Sequence, residues 1–271
     1  MSGKLRFGLG IVGFFLLAAI FGPIFGGDPD AIGDDALAAP SAAHWLGTTD
    51  TAQDVLAQLV HATRGSMLIG LSVGVLSVTV ALFVGVVGGY LGGWLDESFS
   101  LLSNVFLVIP ALPLLILVND YVESTGPAVF ALTITIISWA GPARVIRAQT
   151  LSLRNRDYVD AARVTGERRW RIMVFEILPN LVPIIAANFV FAVIGGVLLD
   201  AALSFLGLAG GSSGSWGGML FFAQNASALQ RGAWWWFVPP GLCVALLGAG
   251  LSLINFGIDE KMNPRLRRTV T

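Results

Sequence analysis

Apolar residues in this chain come in long runs rather than alternating with polar ones. Six stretches approach or exceed the length of a membrane-spanning helix: Leu5–Phe25, Met67–Leu91, Phe99–Val118, Pro127–Gly141, Leu181–Leu208 and Trp234–Ile258. Such a helix needs about 20 apolar residues, because roughly 30 Å of hydrocarbon is crossed at about 1.5 Å per residue. The fourth stretch is the shortest. A transmembrane barrel would alternate polar and apolar positions, which these runs do not. The pattern predicts an all-α polytopic membrane protein with six transmembrane helices. It divides into residues 1–66 (a first helix and an outward segment), a core over 67–258, and a tail over 259–271.

Between the first two runs, residues 27–63 are acidic and turn-rich. From Asp50 onward Val55, Leu56, Leu59 and Val60 share one side, which predicts a short helix lying in the interface. Trp216, Trp234, Trp235 and Trp236 fall near the same boundary and read as an aromatic belt. The first run could instead be a cleaved signal, with Lys4 and Arg6 before it and Ala36–Leu–Ala38 as a site. Its apolar core is too long for that, and the small-residue site comes too late. It is expected to stay as the first helix.

Charge sets the orientation. With the N-terminus inside, fourteen of the sixteen Lys and Arg fall in the cytoplasm, within residues 4–6, 144–171 and 261–268, and only Arg64 and Arg231 face out. Positive residues are retained on the cytoplasmic side, so both termini and the connection 142–178 are expected there. Composition agrees: 55% of the 271 residues are apolar and 12% charged, against about 25% charged in a soluble domain. The net charge of −1 offers no basic face for nucleic acid. Cys243, the only cysteine, can form no internal disulfide.

Several letter patterns carry little chemistry. Gly8–Leu–Gly10–Ile–Val–Gly13 spells a dinucleotide fingerprint but lies inside an apolar helix with no preceding strand. Gly70/Gly74, Gly85/Gly89 and Gly89/Gly93 are spaced for close helix packing. Gly210–Gly–Ser212–Ser–Gly214 spells a nucleophile elbow, with His44 and His61 on the same side, but that motif needs a strand-to-helix turn on a sheet. Two histidines and one cysteine make a zinc site improbable. No Walker A loop exists, since Lys4 and Lys261 are followed by Leu5 and Met262, so any nucleotide hydrolysis belongs to another polypeptide.

The connection 142–178 is the informative segment. Val159, Ala162, Gly166, Trp170 and Met173 would lie along one face of a helix, with Arg163, Glu167, Arg168 and Arg171 filling the rest. Gly166 would weaken a continuous helix by about 1 kcal/mol relative to Ala, so two short helices meeting at a turn fit equally well. Such a stripe wants either a protein partner or anionic lipid. Asp200 is the only acidic residue well inside an apolar run. It lies 20 residues past Asn180 and is expected near the outer interface, as a hydrated helix-end carboxylate or a group on a substrate pathway or gate.

Asp160–Ala–Ala162, followed by Gly166 and Ile177–Leu–Pro–Asn180, resembles the EAA loop of binding-protein-dependent ABC importer permeases. The likeness extends to His44–Trp–Leu–Gly–Thr48 with Asp54–Val–Leu56, Gly89–Tyr–Leu–Gly–Gly–Trp–Leu–Asp96, Pro142–Ala–Arg–Val–Ile–Arg147, Leu203–Ser–Phe–Leu–Gly207, Ser215–Trp–Gly–Gly–Met–Leu220 and Asn263–Pro–Arg265. Together these are similar to the C-type permease of the dipeptide/oligopeptide/nickel group. Asp160 stands where the family has Glu, and Ala52–Gln53 where it has Gly-Arg. The resemblance implies a type I importer permease fold in the bacterial cytoplasmic membrane. It also implies a heterodimer with a homologous B-type permease, two cytoplasmic ABC ATPases and an extracytoplasmic substrate-binding protein. ATP and Mg would then sit on the partner subunits, and this chain would bind no cofactor. Asp160, Ala161, Ala162 and Gly166 would form the ATPase-coupling surface, with Arg163 and Arg168 at its rim. The competing reading, an ion-coupled secondary transporter, needs intramembrane ionisable groups, for which Asp200 alone is available.

Overall fold

A computed structural model describes residues 3–121, 127–208 and 214–262. Most of these residues are helical; the segment 26–54 after the first helix is not, and holds two isolated antiparallel bridges, Ile32 to Gln53 and Thr48 to Asp54. The elements are α1 (Gly3–Phe25), α2 (Val55–Leu91), α3 (Gly93–Val108), α4 (Ala111–Tyr121), α5 (Pro127–Ser138), α6 (Ala140–Leu153), α7 (Asp157–Val164), α8 (Arg169–Arg171), α9 (Leu178–Phe205), α10 (Trp216–Asn225) and α11 (Trp234–Met262). A π-helical segment, Ile172–Ile177, joins α8 to α9. Four helical stretches are long and apolar enough to cross a membrane alone, and six when each of two bent pairs counts as one span.

Those bends have sequence causes. The expected span Phe99–Val118 is divided between α3 and α4, which meet at 93°. Pro110 has no N–H and forces the residue before it out of the helical region, and Ile109 is indeed extended (φ −70°, ψ 127°). The expected span Pro127–Gly141 is α5, which continues into α6 after a 48° bend. Pro142, in the first turn of α6, cannot donate to the Ser138 carbonyl. Helix α6 therefore carries the chain as far as Leu153, well into the connection expected to begin at 142.

Helix α2 overturns the expectation of a separate interfacial helix and a boundary at residue 66. Its N-terminus is capped by Asp54, whose Oδ1 accepts the Ala57 N–H at 2.9 Å, and it runs unbroken for 37 residues to Leu91. At about 1.5 Å per residue it is roughly 55 Å long, some 25 Å more than a hydrocarbon core. Its polar first turns, with Gln58, His61 and Arg64, stand outside the apolar layer and continue the span below them.

Helix α2 is also the axis of packing, touching α1, α5, α6 and α9. Half of its most apolar stretch (50%) is buried, against 17% for α1. Small residues permit this closeness. A Cβ on Gly70 or Gly74 would strike Val197 or Val193 of α9, and one on Gly85 or Gly89 would strike α6 at Ile146, Ala143 or Thr150. Gly8 meets α11 the same way, whereas Gly10, Gly13 and Gly93 face open space. The packing reading therefore holds for only some of the glycines. The aromatic-belt reading fails for three of four tryptophans: Trp216, Trp235 and Trp236 are core residues, and only Trp234, 55% exposed, remains at the surface. Cys243 is half-buried and packs against the same core cluster. The far ends of α1 and α11 are pinned by Lys4 Nζ to Glu260 Oε1 at 2.7 Å.

Candidate functional site

Residues 154–178 leave the last turn of α6 and fold into two short helical pieces around a turn. Helix α7 starts after an extended Arg156. Its first turn carries Asp157 and Asp160 and its last Arg163, the arrangement that complements the helix dipole. Val159, wholly buried, anchors it in the inner core cluster beside Tyr90, Trp139, Ala143, Ile172 and Ile177.

The turn after α7 is a Schellman motif. Gly166 N–H donates to the Arg163 carbonyl (3.0 Å) and Glu167 N–H to the Ala162 carbonyl (3.1 Å), with Gly166 at φ +81°. A left-handed residue after the helix is what this closure requires, and glycine takes it without the Cβ penalty. One continuous helix through Gly166 is thereby excluded, so the stripe expected from Val159 to Met173 is broken. Val159 and Ala162 turn inward, while Gly166 and Trp170 are exposed.

The six residues expected on the coupling surface come together around this turn. Asp160, Ala161, Arg163, Gly166 and Arg168 are exposed, and Ala162 is partly buried against the inner cluster. Arg163 Nη1 bonds Asp160 Oδ1 at 2.7 Å and sits over the Tyr90 ring, 5.4 Å from its centroid. Tyr90 first, then Asp160, hold its pKa above the ordinary value despite partial burial. Around this core the surface is apolar as well as charged: Val164 is 88% exposed and Trp170 54%. A cleft of about 360 Å³ runs past Thr165, Gly166, Arg168 and Trp170.

Two of the motif segments clamp the region to α2 and α3. Arg147 of α6 grips Asp96 with both ends of its guanidinium, Nε to Oδ1 at 2.5 Å and Nη2 to Oδ2 at 2.7 Å. Arg154 Nη1 donates to the Gly89 carbonyl at 3.0 Å. Sequence reading did not pair Tyr90, Asp96, Arg147 and Arg154, although three of the four lie inside the quoted segments.

At the other end of α2, Asp200 is 1% exposed. The hydrated helix-end reading is therefore corrected, because α10 folds over that end of α9 and removes it from water. Ser66 Oγ donates to Asp200 Oδ2 (3.3 Å) and Ser204 Oγ to Oδ1 (3.2 Å). Ser215 Oγ donates to Ser204 Oγ (3.3 Å), and the Trp216 backbone N–H donates to Ser66 Oγ (3.0 Å). The Trp216 indole N–H reaches Thr63 Oγ1 at 3.1 Å. Helices α2, α9 and α10 thus share one polar joint in which the serine hydroxyls all donate toward the carboxylate. A Cβ on Gly65 would lie 1.8 Å from the Gly214 carbonyl oxygen, so the joint depends on bare backbone there. The spacing of Ser204 four residues past Asp200 was the available signal; Ser66 and Ser215 are distant in sequence and gave none.

The hydrolase alternative gains nothing. His44 Nδ1 pairs with Asp54 Oδ2 at 2.7 Å, His61 Nε2 meets the Gly27 carbonyl at 3.1 Å, and the described residues form no sheet. Ser212 lies outside the described residues, as does Asn263–Pro–Arg265.

Comparison with known proteins adds four findings. Residues 55–268 match the family described as binding-protein-dependent transport system inner membrane component. The chain is 32% identical over 229 residues to the oligopeptide transport system permease protein OppC of Mycobacterium tuberculosis (strain H37Rv), covering 84% of this chain and 78% of that one. It is 33% identical over 273 residues to the dipeptide transport system permease protein DppC of Alkalihalophilus pseudofirmus, covering 96% and 85%. Among solved structures it resembles a chain of the MetNI methionine ABC transporter in an inward-facing conformation, with TM-score 0.57 and 20% identity, covering 79% of this chain and 96% of that one. That last likeness is one of fold.

Proposed function

The chain belongs to the binding-protein-dependent transport system inner membrane component family, whose members are permease subunits of ATP-driven importers, and on that premise we propose that its cargo is a di- or oligopeptide and that residues 157–171 couple it to its ATPases. It is a multi-pass membrane permease, not an enzyme, and membership implies a second permease and ATPase subunits beside it. The peptide cargo is supported by the relatives, which are named for oligopeptide and dipeptide transport. In the finer reading its partners are a homologous B-type permease, two cytoplasmic ATPases carrying the ATP and Mg, and an extracytoplasmic binding protein. This chain's two lysines lie in no phosphate-binding loop. The ion-coupled alternative loses its footing with family membership and with Asp200 engaged by serines.

The coupling assignment rests on one observation: a short helix closed by a Schellman turn presents exposed Asp160, Arg163, Val164, Arg168 and Trp170 together, while Val159 and Arg163 seat the same helix on Tyr90 of α2 and the Arg147–Asp96 clamp ties the preceding α6 to α3. A push on this surface reaches α2 and α3 through bonded contacts rather than through a slack loop. Mixed charge suits a protein groove better than anionic lipid, which would repel Asp157, Asp160, Glu167 and Glu176. The orientation proposed places this surface and both termini in the cytoplasm. The charge distribution supports it, and so does the Lys4–Glu260 pair, which sets the first and last helix ends side by side.

Gly166 provides the test. Nothing lies within 4 Å of where its Cβ would be, so a side chain there points into open space; its φ of +81° adds a local backbone cost of about 1–2 kcal/mol for a residue other than Gly or Asn, for which Gly166→Asn is the control. Gly166→Arg is expected to insert normally, lose co-purification with the ATPases and abolish peptide uptake. Gly166→Asn, which tolerates the left-handed conformation, is expected to retain most of both. If Gly166→Arg keeps its ATPases and near-normal uptake, the coupling assignment fails.

A further inference from the structure

A depression of about 900 Å³ opens at the outer end of α2, between residues 29–53, the first turns of α2, and α10. It lies beside the polar first turns of α2, with Gln58, His61 and Arg64 on its wall. Its size is that of a small-ligand site.

The polar groups lining it divide into two sets. Gln58 and His61 are already engaged, Gln58 Nε2 by Gln53 Oε1 at 2.8 Å and His61 by the Gly27 carbonyl. Arg64, Asp30 and Asp50 are not: among the described residues none of the three has an ion-pair partner. Arg64 stays unpaired although the adjoining segment is rich in aspartate: Asp28, Asp30, Asp34, Asp35, Asp50 and Asp54. Of these, Asp54 is taken by His44 and the α2 cap. Trp236 also lines the depression, and its indole N–H is buried with no acceptor among the described residues. The apolar part of the wall comes from Leu68, Phe222 and Trp236.

We infer that this depression is a binding subsite for a short peptide with free ends, its carboxylate on Arg64 and its ammonium toward Asp30 and Asp50. The inference rests on the peptide-importer reading and deepens it. A guanidinium presents a planar fork that matches a carboxylate bidentately, and one unpaired cation and two unpaired carboxylates lining the same depression with an apolar wall make the charge pattern of a zwitterion. A dipeptide spans about 7 Å, within the reach of a site this large. The subsite adjoins the Asp200 joint through Gly65 and Gly214, which line it and precede Ser66 and Ser215. A peptide held there would touch the seam between α2 and α10.

The test uses the full-length chain in lipid nanodiscs and equilibrium dialysis of radiolabelled alanyl-phenylalanine, its C-amide and its N-acetyl form. The free dipeptide is expected to bind saturably, and the amide about tenfold more weakly, the loss of roughly one charge-assisted contact. Arg64→Gln should weaken the free dipeptide by about the same factor and erase the difference between free and amidated forms. Arg231→Gln, outside the depression, should leave all three affinities unchanged. Absence of saturable binding, equal binding of free and amidated forms, or an Arg64→Gln protein that binds like wild type would overturn the inference. So would an Arg64→Gln protein that loses only its association with an extracytoplasmic protein, which would give the depression to a protein partner. Peptide uptake in cells separates the two levels. If uptake requires this chain yet is indifferent to Arg64→Gln, the subsite is wrong and the import reading stands; if uptake does not require the chain, the import reading itself fails.

Discussion

The two ends of α2 are fastened by opposite means. At the end of α2 proposed to face out the joint is buried: Asp200, Ser66, Ser204 and Ser215 bond one another, and Trp216 closes over them without any exposed surface. At the end proposed to face the cytoplasm the fastening is a guanidinium–carboxylate clamp, Arg147 on Asp96, whose side chains remain 29% and 15% exposed. Beyond it lies a surface on which Arg168 and Asp157 have no partner among the described residues and Val164 stands open to solvent. A buried polar group must find its partners within the chain or cost stability, so the outer joint is complete in itself. An exposed group carries no such demand and remains available to another protein. On the proposed reading, the first end holds the chain together and the second is the one acted on.

The largest effect is therefore expected at the outer joint. Trp216 packs edge-to-face on Phe15, with centroids 5.3 Å apart, and bonds Thr63 and Ser66. Trp216→Ala should cost about 3–5 kcal/mol, read as a lowered unfolding midpoint in detergent, while any protein still folded should bind ATPases as before. Unchanged stability would mean that the joint is not the keystone described. Arg147→Ala comes next: it strands a partly buried Asp96 and should cost about 1–3 kcal/mol, in the range of a hydrogen bond to a charged group. Because this clamp holds α3 to α6, the helix that leads into the proposed coupling surface, uptake should fall more steeply than stability. Proportional losses would show that the clamp is a strut and not a transmission point.

What could be read beforehand follows the same division. Long apolar runs place four spans outright, and six with each bent pair counted as one, because lipid leaves a chain few alternatives, and Asp160, Gly166 and the flanking arginines were legible as a surface because neighbours in sequence form it. The turn at Gly166 was open between two readings that periodicity cannot separate; a positive φ decides it. Pairings across 50 residues or more, such as Asp96 with Arg147 or Ser66 with Asp200, leave no periodic trace. The belt reading of Trp216, Trp235 and Trp236 failed because proximity to a run's end says nothing about which way a ring points. The separate interfacial helix failed because a helix already nucleated at Asp54 extends more easily than it stops and restarts, and no Pro or Gly pair intervenes to stop it before Met67.

The smallest effect on stability should accompany a clear effect on partnership, and Val164 is the residue to show it. It is the last residue of α7, 88% exposed, and it contributes no polar contact. In this chain Val164→Ser removes almost no buried area, so stability should change by no more than about 0.5 kcal/mol, as for an ordinary surface position. If the ATPase covers this face, the same methyl groups become buried on assembly. Burying a valine side chain is worth about 1.5 kcal/mol, which corresponds to roughly a tenfold change in affinity. Val164→Ser should therefore bind its ATPases about tenfold more weakly in a pull-down titration while melting like wild type, the reverse of Trp216→Ala. If it binds as tightly as wild type, Val164 faces solvent in the assembled importer too, and the docking surface has to be moved toward Arg168 and Trp170.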